Sequence, residues 1–380
     1  MRHQNSVFHT MLKHLPWGEF DRLVEVFGAD RRQRGFRTKT QLVALLYGQL
    51  SGAVSLREIE AGLSSHETQR YHLGIGRVRR SSLAEANAHR PSGLFADLFA
   101  ALVKQAHRGL RRKLDGLTYL IDATSVALAG RSERWAHFSA KFCGAKVHII
   151  YDPAADQPVY AAVSAANLND ITAAQAMPIE PGASYVFDLG YYDYGWWAKL
   201  DAAGCRIVTR LKRNTPLRLV EQRAVPAVGN ILSDRIGHLP ARQAIRGKNP
   251  YSKPVREIQV TIETGKVLRI VTNDLTAPAQ QIADLYKQRW AIELFFRWVK
   301  QTLKITRFLG TSQNAVRIQI AVALIAFLLL RLAQATQTAV SSPLAFVRLI
   351  RANLMHRRDL RALLQPPQSV PANPSQLALL

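Results

Sequence analysis

Three acidic residues have the types and the spacing to do chemistry. Asp122 interrupts the apolar, β-branched run LTYLIDATSVAL, Asp188 ends the run SYVFD, and Glu293 lies on a helical stretch much later in the chain. A carboxylate in an apolar strand is costly unless it has a partner. Taken singly, each aspartate is more simply explained as a cap or turn residue. Together, the three acids could hold two divalent cations roughly 3.5 to 4 Å apart for phosphoryl transfer, and carboxylate oxygens are ligands that Mg²⁺ or Mn²⁺ prefers.

A stripe of charged side chains surrounds Glu293. If residues 284–304, DLYKQRWAIELFFRWVKQTLK, form one α-helix at about 100° per residue, apolar residues gather on one face and a narrow polar stripe lies on the other. The stripe consists of Tyr286, Arg289, Glu293, Arg297, Lys300 and Lys304. For an arbitrary helix, the simpler interpretation is a solvated face with ion pairs four residues apart.

The charge of the whole chain favours a polyanionic partner for this stripe. The 380 residues include 51 Lys and Arg against 27 Asp and Glu, which gives a formal charge of +24. Nucleic acid is the expected partner, and an anionic membrane is the competing one. The longest apolar run, residues 320–330, is too short to span a membrane. The first residues contain no apolar signal segment and the two cysteines form no CxxC pair, so we expect no membrane partner and a reducing, cytoplasmic setting.

The pattern of elements divides the chain into segments that would position the acids. Helical periodicity predominates up to about residue 114, and a capping box at Ser82 and Glu85 predicts one helix start. These helices could include a helix-turn-helix reader, or form an ordinary helical bundle with a basic rim. From Leu117 the predicted order is strand, strand, strand, helix, strand, helix, strand. The predicted segments begin with a helical N-terminal DNA-binding domain (residues 1–114), the first part of an α/β core (115–211) and a β-rich insertion (212–280). The final core helices (281–335), a basic helical segment (336–364) and a disordered tail (365–380) follow.

This order of elements resembles the ribonuclease-H-like core of DDE transposases, with one Asp on the first strand, another just after the fourth and a Glu on a late helix behind an insertion. Tyr286, Arg289, Glu293 and Lys300 fit the spacing Y-x2-R-x3-E-x6-K of the insertion-sequence transposases of family four. The stretches DATSVAL, FDLGYYDYGWW, VTRLKRN and LGTSQNAVRIQIAVALIAFLLL are also similar to that family. The resemblance covers about residues 116–332. It implies an α/β fold in which a mixed sheet is flanked by helices, with a β-rich insertion before the Glu-bearing helix and a helical N-terminal domain.

The resemblance also implies an activity and roles for the residues. It implies a cut-and-paste DNA transposase that binds terminal inverted repeats and target DNA as a homodimer on paired ends, and cuts through a hairpin intermediate. Asp122, Asp188 and Glu293 would be the catalytic residues and the ligands of two Mg²⁺ ions, for which Mn²⁺ can substitute. Tyr286, Arg289 and Lys300 would contact DNA phosphates.

Three further DNA contacts are our inference from the helical stripe. Arg297 and Lys304 share the stripe, and Trp290 lies beside Arg289, where a base could stack on it. Trp298 flanks the apolar face, so we expect it to be a core residue.

Two other functions remain open at this point. A catalytically inactive, transposase-derived regulator would bind DNA without processing it. A tyrosine recombinase would use Tyr286 as a covalent nucleophile together with Arg289 and would need no metal.

Overall fold

The N-terminal region consists of seven helices. The computed structural model describes residues 5–31, 33, 35–110, 116–128, 137–139, 142–243, 247–303, 308–357 and 363–364. The helices in the N-terminal region are α1 (Val7–Leu12), α2 (Trp17–Val26), α3 (Thr38–Ser51), α4 (Leu56–Ser65), α5 (Glu67–His72), α6 (Arg80–His89) and α7 (Ser92–Leu110). The capping box predicted at Ser82 and Glu85 is wrong, because α6 already begins at Arg80, whose N–H donates to Glu60 at 3.1 Å.

A mixed β-sheet follows the helical region. Its first six strands are β1 (Thr118–Ala127), β2 (His137–Ser139), β3 (Phe142–Asp152), β4 (Gln157–Ala165), β5 (Ser184–Phe187) and β6 (Arg206–Arg210). Strands β1, β3 and β4 are antiparallel neighbours, whereas β5 pairs in parallel with both β1 and β6. The helices α8 (Asp170–Ala174) and α9 (Tyr194–Ala202) flank β5 in the chain. The order β4-β3-β1-β5-β6 confirms the predicted ribonuclease-H-like arrangement.

Most of the β-rich insertion continues this sheet, while two of its strands, Arg242–Gln243 and Gly247–Lys248, pair with each other in a separate two-stranded sheet. Its strands are β7 (Arg218–Arg223), β8 (Ile231–His238), β9 (Arg242–Gln243), β10 (Gly247–Lys248), β11 (Val255–Thr261) and β12 (Val267–Thr272). Strand β12 pairs antiparallel with β6, and β11, β8 and β7 follow outward. Glu257 lies fully buried in the insertion and forms ion pairs with Arg269 at 2.6 Å and Arg235 at 3.0 Å.

Four helices complete the part of the chain that the structure describes. They are α10 (Ala279–Gln288), α11 (Trp290–Thr302), α12 (Gln313–Ala335) and α13 (Pro343–Asn353). Helix α12 packs against α3 and α7 and shares one apolar core with them and with α11. Its length and composition would suit a membrane span, but 78% of its most apolar window is buried inside the protein. Helix α12 is therefore a core helix, as the sequence predicts.

The basic segment after α12 contacts the first helix, α1, and the end of α11. The N–H groups of Val7 and Phe8 donate to the carbonyls of His356 and Leu354, at 3.1 and 2.8 Å. Arg351 donates to the carbonyl of Thr302, the last residue of α11, at 2.9 Å. Part of the predicted basic segment, residues 358–362, and the whole predicted tail from residue 365 lie outside the described residues.

Candidate active site

Two of the predicted acids lie side by side on neighbouring strands. Parallel pairing of β1 with β5 places Ile121 opposite Phe187, so Asp122 and Asp188 each follow one member of that pair. Asp122 lies within β1, while Asp188 comes directly after β5 and caps a short 3₁₀ turn, Leu189–Tyr191. Its carboxylate accepts a hydrogen bond from the N–H of Gly190 at 2.8 Å. The register therefore brings both aspartates to one end of a parallel strand pair.

The electrostatic surroundings of Asp122 disfavour its ionised form. Its carboxylate accepts a hydrogen bond from the N–H of Ala123 at 2.8 Å. Burial, followed by the negative charges of Asp188 and Glu293, raises the pKa of Asp122 from 3.8 to about 6, although that hydrogen bond and the charge of Arg289 act in the opposite direction. Asp188 and Glu293 are thus close enough to Asp122 to disfavour its ionised form.

Glu293 reaches the aspartates through an arginine. It lies in the first turn of α11, where its carboxylate forms an ion pair with Arg289 at 2.6 Å. The other terminal nitrogen of Arg289 lies 3.7 Å from the carboxylate of Asp122. The guanidinium therefore connects the Glu-bearing helix to the first strand.

The predicted single helix over residues 284–304 is wrong, because the helix is interrupted at Arg289. Helix α10 ends at Gln288 and α11 begins at Trp290. Around the interruption, the N–H of Arg289 donates to Tyr286 and the N–H of Ile292 donates to Arg289, each three residues back instead of four. This tighter turn shifts the angular positions of the residues before it relative to those after it.

The interruption corrects the position of Tyr286. The prediction placed this side chain on an outward stripe, but it is only 7% exposed and packs in the apolar core. The guanidinium carbon of Arg289 lies 5.9 Å from the centre of its ring. The ring of Tyr286 is therefore buried beside Arg289 and not on an outward stripe, while a contact of Tyr286 with DNA stays a prediction.

Part of the predicted stripe does form an accessible surface. Trp290 is 51% exposed, and the guanidinium of Arg297, which is itself exposed, lies 5.8 Å from the centre of its ring. Lys300 is half-buried, and burial lowers its pKa. Trp298 packs against Phe327 at 5.1 Å between ring centres, as predicted for a core residue. Lys304 lies outside the described residues.

The carboxylates of Asp122, Asp188 and Glu293 are suitable ligands for a divalent cation, although they are not arranged around a common point. Among the residues that the structure describes, no three Asp, Glu, His or Cys side chains lie near enough to one another to hold a metal ion. Arg289 lies between Asp122 and Glu293 and supplies positive charge there. Asp122, Asp188 and Glu293 offer the carboxylate oxygens that Mg²⁺ or Mn²⁺ prefers as ligands, and the pKa of Asp122 is raised first by burial and then by the negative charges of the other two acids.

The structure adds residues that the sequence pattern did not identify as part of the site. Asp170, at the start of α8, forms an ion pair with Lys146 at 3.0 Å, and His148 lies 3.9 Å from the same carboxylate oxygen. The sequence suggests only a helix start, a solvated lysine and a strand histidine at these positions. The alternation of Lys146 and His148 along one strand was an available signal, but their partner depends on how the chain folds back. Asp193 caps α9, as expected.

The fold and the acids at its strand ends define a ribonuclease-H-like protein with a carboxylate centre, and comparison with known proteins identifies the family. Residues 113–329 match the family model described as the transposase DDE domain. The chain belongs to the DDE transposase family. Residues 3–76 match a second model, described as a domain of unknown function (DUF4372).

Individual relatives agree with this assignment. A Sinorhizobium fredii protein named as a transposase, y4zB, is 40% identical over 293 residues, which cover 77% of this chain and 81% of that one. A Geobacillus stearothermophilus protein, named for insertion sequence element IS5377, is 28% identical over 289 residues, or 73% and 74% of the two chains.

A solved structure matches the chain at low similarity. It is the cryo-EM structure of a piggyBac transposase synaptic complex with hairpin DNA, which gives a TM-score of 0.44 at 12% identity and covers 98% of this chain and 82% of that one. The predicted resemblance to DDE transposases is confirmed, and membership of insertion-sequence family four stays a prediction.

Proposed function

We propose that the protein is a cut-and-paste transposase that cuts DNA at the terminal inverted repeats of its own element and joins the ends to target DNA. The supporting observation is the pairing of Asp122 with Asp188 at one end of two parallel strands, with Glu293 facing them across Arg289. Homodimerisation on paired ends and a hairpin intermediate form part of the proposal. Both come from the family resemblance.

In this proposal Asp122, Asp188 and Glu293 hold two Mg²⁺ ions, and Mn²⁺ can replace them. Such ions activate a water or a 3′-hydroxyl and stabilise the leaving oxygen. The protein contributes a rigid sheet that fixes the two aspartates and a helix that carries the glutamate. Arg289, which contacts Asp122 and Glu293, would be available to bind a DNA phosphate if bound cations neutralised these acids.

The accessible part of α11 would bind DNA beside the acids. Arg297 and Lys300 supply charge, and Trp290 offers an exposed ring on which a base can stack. Lys304 belongs to the same proposed surface by its position in the sequence. Tyr286 has its role in holding Arg289, because its ring is buried. That burial also argues against a recombinase that uses this tyrosine as a covalent nucleophile.

The test uses purified protein and a labelled DNA end of the element, with Mg²⁺, with EDTA, and with Glu293→Gln in place of the wild type. We expect cleavage at the repeat boundary that requires both the metal and Glu293, and denaturing gels then reveal whether hairpin ends form. A protein that binds the end but never cuts it, whichever divalent metal is added, would instead be the transposase-derived regulator. A covalent link between protein and DNA that forms in EDTA would support the recombinase.

A further inference from the structure

A second group of polar side chains lies near the acidic centre, on the face of the sheet opposite the one from which the Asp122 side chain projects. We call Asp170, Lys146, His148 and Tyr191 the Asp170 cluster. Lys146 and His148 lie opposite Ser125 and Ala123 in the pairing of β3 with β1, and these positions alternate with Asp122. The cluster therefore lies behind the strand that carries the first catalytic acid.

One oxygen of Asp170 is fixed by positive charge. Lys146 Nζ lies 3.0 Å from Asp170 Oδ1 and also 3.0 Å from the carbonyl of Leu168 just before α8. His148 Nδ1 lies 3.9 Å from the same Oδ1, and its Nε2 is 2.8 Å from Ser164 Oγ. Lys146 thus holds the Asp170 carboxylate in one orientation, whereas the buried Nδ1 of His148 has no hydrogen-bond partner within the described part of the protein.

The other oxygen of Asp170 points to the turn after β5. A Cβ atom placed on Gly190 would lie 3.2 Å from Asp170 Oδ2 and 3.0 Å from Asp188 Oδ1. The two carboxylates therefore flank the same glycine, where the chain turns past the end of the strand. A side chain at this position would push them apart.

Tyr191, which directly follows Gly190, has a buried hydroxyl that lacks a hydrogen-bond partner among the described residues. Its side chain is fully buried, and its hydroxyl has no hydrogen-bond partner within the described part of the protein. Burial, followed by the charges of Asp170, Asp122 and Asp188, raises the pKa of Tyr191. A buried hydroxyl without a partner is costly, so it is expected to bond to a water molecule or an ion.

We propose that Asp170 is a positioning residue of the catalytic centre: its Oδ2 and the Tyr191 hydroxyl hold a water molecule against Asp188 and orient that carboxylate toward the metal. This inference rests on the proposed metal-dependent function. It assigns a fourth acid to a centre for which the family resemblance implies three. Removal of such a partner of a metal ligand typically weakens metal binding by a factor of about 10 to 100.

The experiment measures Mn²⁺ binding by the full-length protein through the electron paramagnetic resonance signal of free Mn²⁺. Asp170→Asn and Tyr191→Phe are compared with the wild type, and thermal unfolding in EDTA confirms that each variant folds. The matched controls are Asp193→Asn, which retains a side chain able to cap α9, and Tyr194→Phe, whose hydroxyl is 2.9 Å from that of Tyr192. We expect the Mn²⁺ dissociation constant to rise about tenfold or more in the two test variants and to stay unchanged in the controls.

Gly190→Ala tests the same arrangement without removing a polar group. Its methyl group displaces both carboxylates, so it should also weaken Mn²⁺ binding. If the wild type binds Mn²⁺ and the folded Asp170→Asn and Tyr191→Phe variants bind it equally well, the role of Asp170 is refuted while the proposed function stands. If the wild type itself binds no Mn²⁺, the metal-dependent function fails, and this inference with it.

Discussion

Arg289 and Glu293 form an ion pair of 2.6 Å across the first turn of the Glu-bearing helix. The same guanidinium lies 3.7 Å from Asp122, so one cation offsets charge on two acids that repel each other. This contact ties helix α11 to strand β1. In the proposed metal centre, Arg289 would therefore affect both the stability of the protein and the charge that a cation meets.

The first prediction concerns this arginine. Arg289→Gln leaves Asp122 and Glu293 without their shared cation and should lower the free energy of unfolding by about 1 to 3 kcal/mol in EDTA. Urea unfolding measures the change. Arg297→Gln is the control, because an exposed substitution usually stays within about 0.5 kcal/mol. Equal losses in the two variants would contradict the linking role of Arg289.

The second prediction is that Asp122→Asn stabilises the protein while it abolishes cleavage. The pKa of Asp122 is raised from 3.8 to about 6, so its ionised form costs the folded state on the order of 1 to 3 kcal/mol at neutral pH. Because the folded pKa lies above the unfolded one, this cost is full above pH 6 and disappears as the pH falls toward 3.8.

Urea unfolding in EDTA at several pH values measures how the stability difference between Asp122→Asn and the wild type depends on pH. The asparagine variant should gain stability at pH values above 6, and the gain should shrink at lower pH. If the variant is no more stable than the wild type at neutral pH, the carboxylates are not in electrostatic conflict.

The third prediction concerns Trp290, whose ring is half-exposed and does not pack in the hydrophobic core. Trp290→Ala should weaken binding of a labelled element end by about 1 to 3 kcal/mol if a base stacks on the ring, with little change in unfolding. Leu294→Ala removes another exposed apolar side chain from the same helix and serves as the control. Fluorescence anisotropy gives both affinities, and equal affinities would exclude stacking at Trp290.

The fourth prediction concerns the insertion. Burial opposes ionisation of Glu257, but the hydrogen bond and charge of Arg269, together with Gln259 and Arg235, outweigh it and lower its pKa. Its contribution to stability is therefore present above the unfolded pKa of about 4.3 and is lost as the pH falls through the folded value. Glu257→Gln leaves the partly exposed guanidinium groups of Arg269 and Arg235 without their shared carboxylate and should cost about 1 to 3 kcal/mol at pH 7.

Unfolding at pH 7 and at successively lower pH tests the assignment for Glu257. The difference between the wild type and Glu257→Gln should narrow once the wild-type carboxylate becomes protonated. A constant difference across the acid range would mean that the substitution acts through packing and not through charge.

The sequence predicts the strand order and the two strand aspartates well because β-branched runs and turn residues are local signals. Asp122 stands out because it interrupts such a run. Tyr286 was misplaced because the helical wheel assumes unbroken geometry, and nothing in the residue types around Arg289 predicts the three-residue hydrogen bonds there. Asp170 could not be placed because its contacts with Lys146 and Gly190 depend on strand pairing and a turn distant in the sequence. The pairing of β12 with β6 likewise depends on tertiary folding and not on local sequence.

The contacts of the segment around α13 have a consequence for protein synthesis. Arg351 holds the last turn of the Glu-bearing helix, and Leu354 and His356 pair with the backbone of Phe8 and Val7. Polypeptides that end before Arg351 lack these hydrogen bonds to α1 and to the last turn of α11. These contacts, which join distant parts of the chain, can therefore form only late in translation.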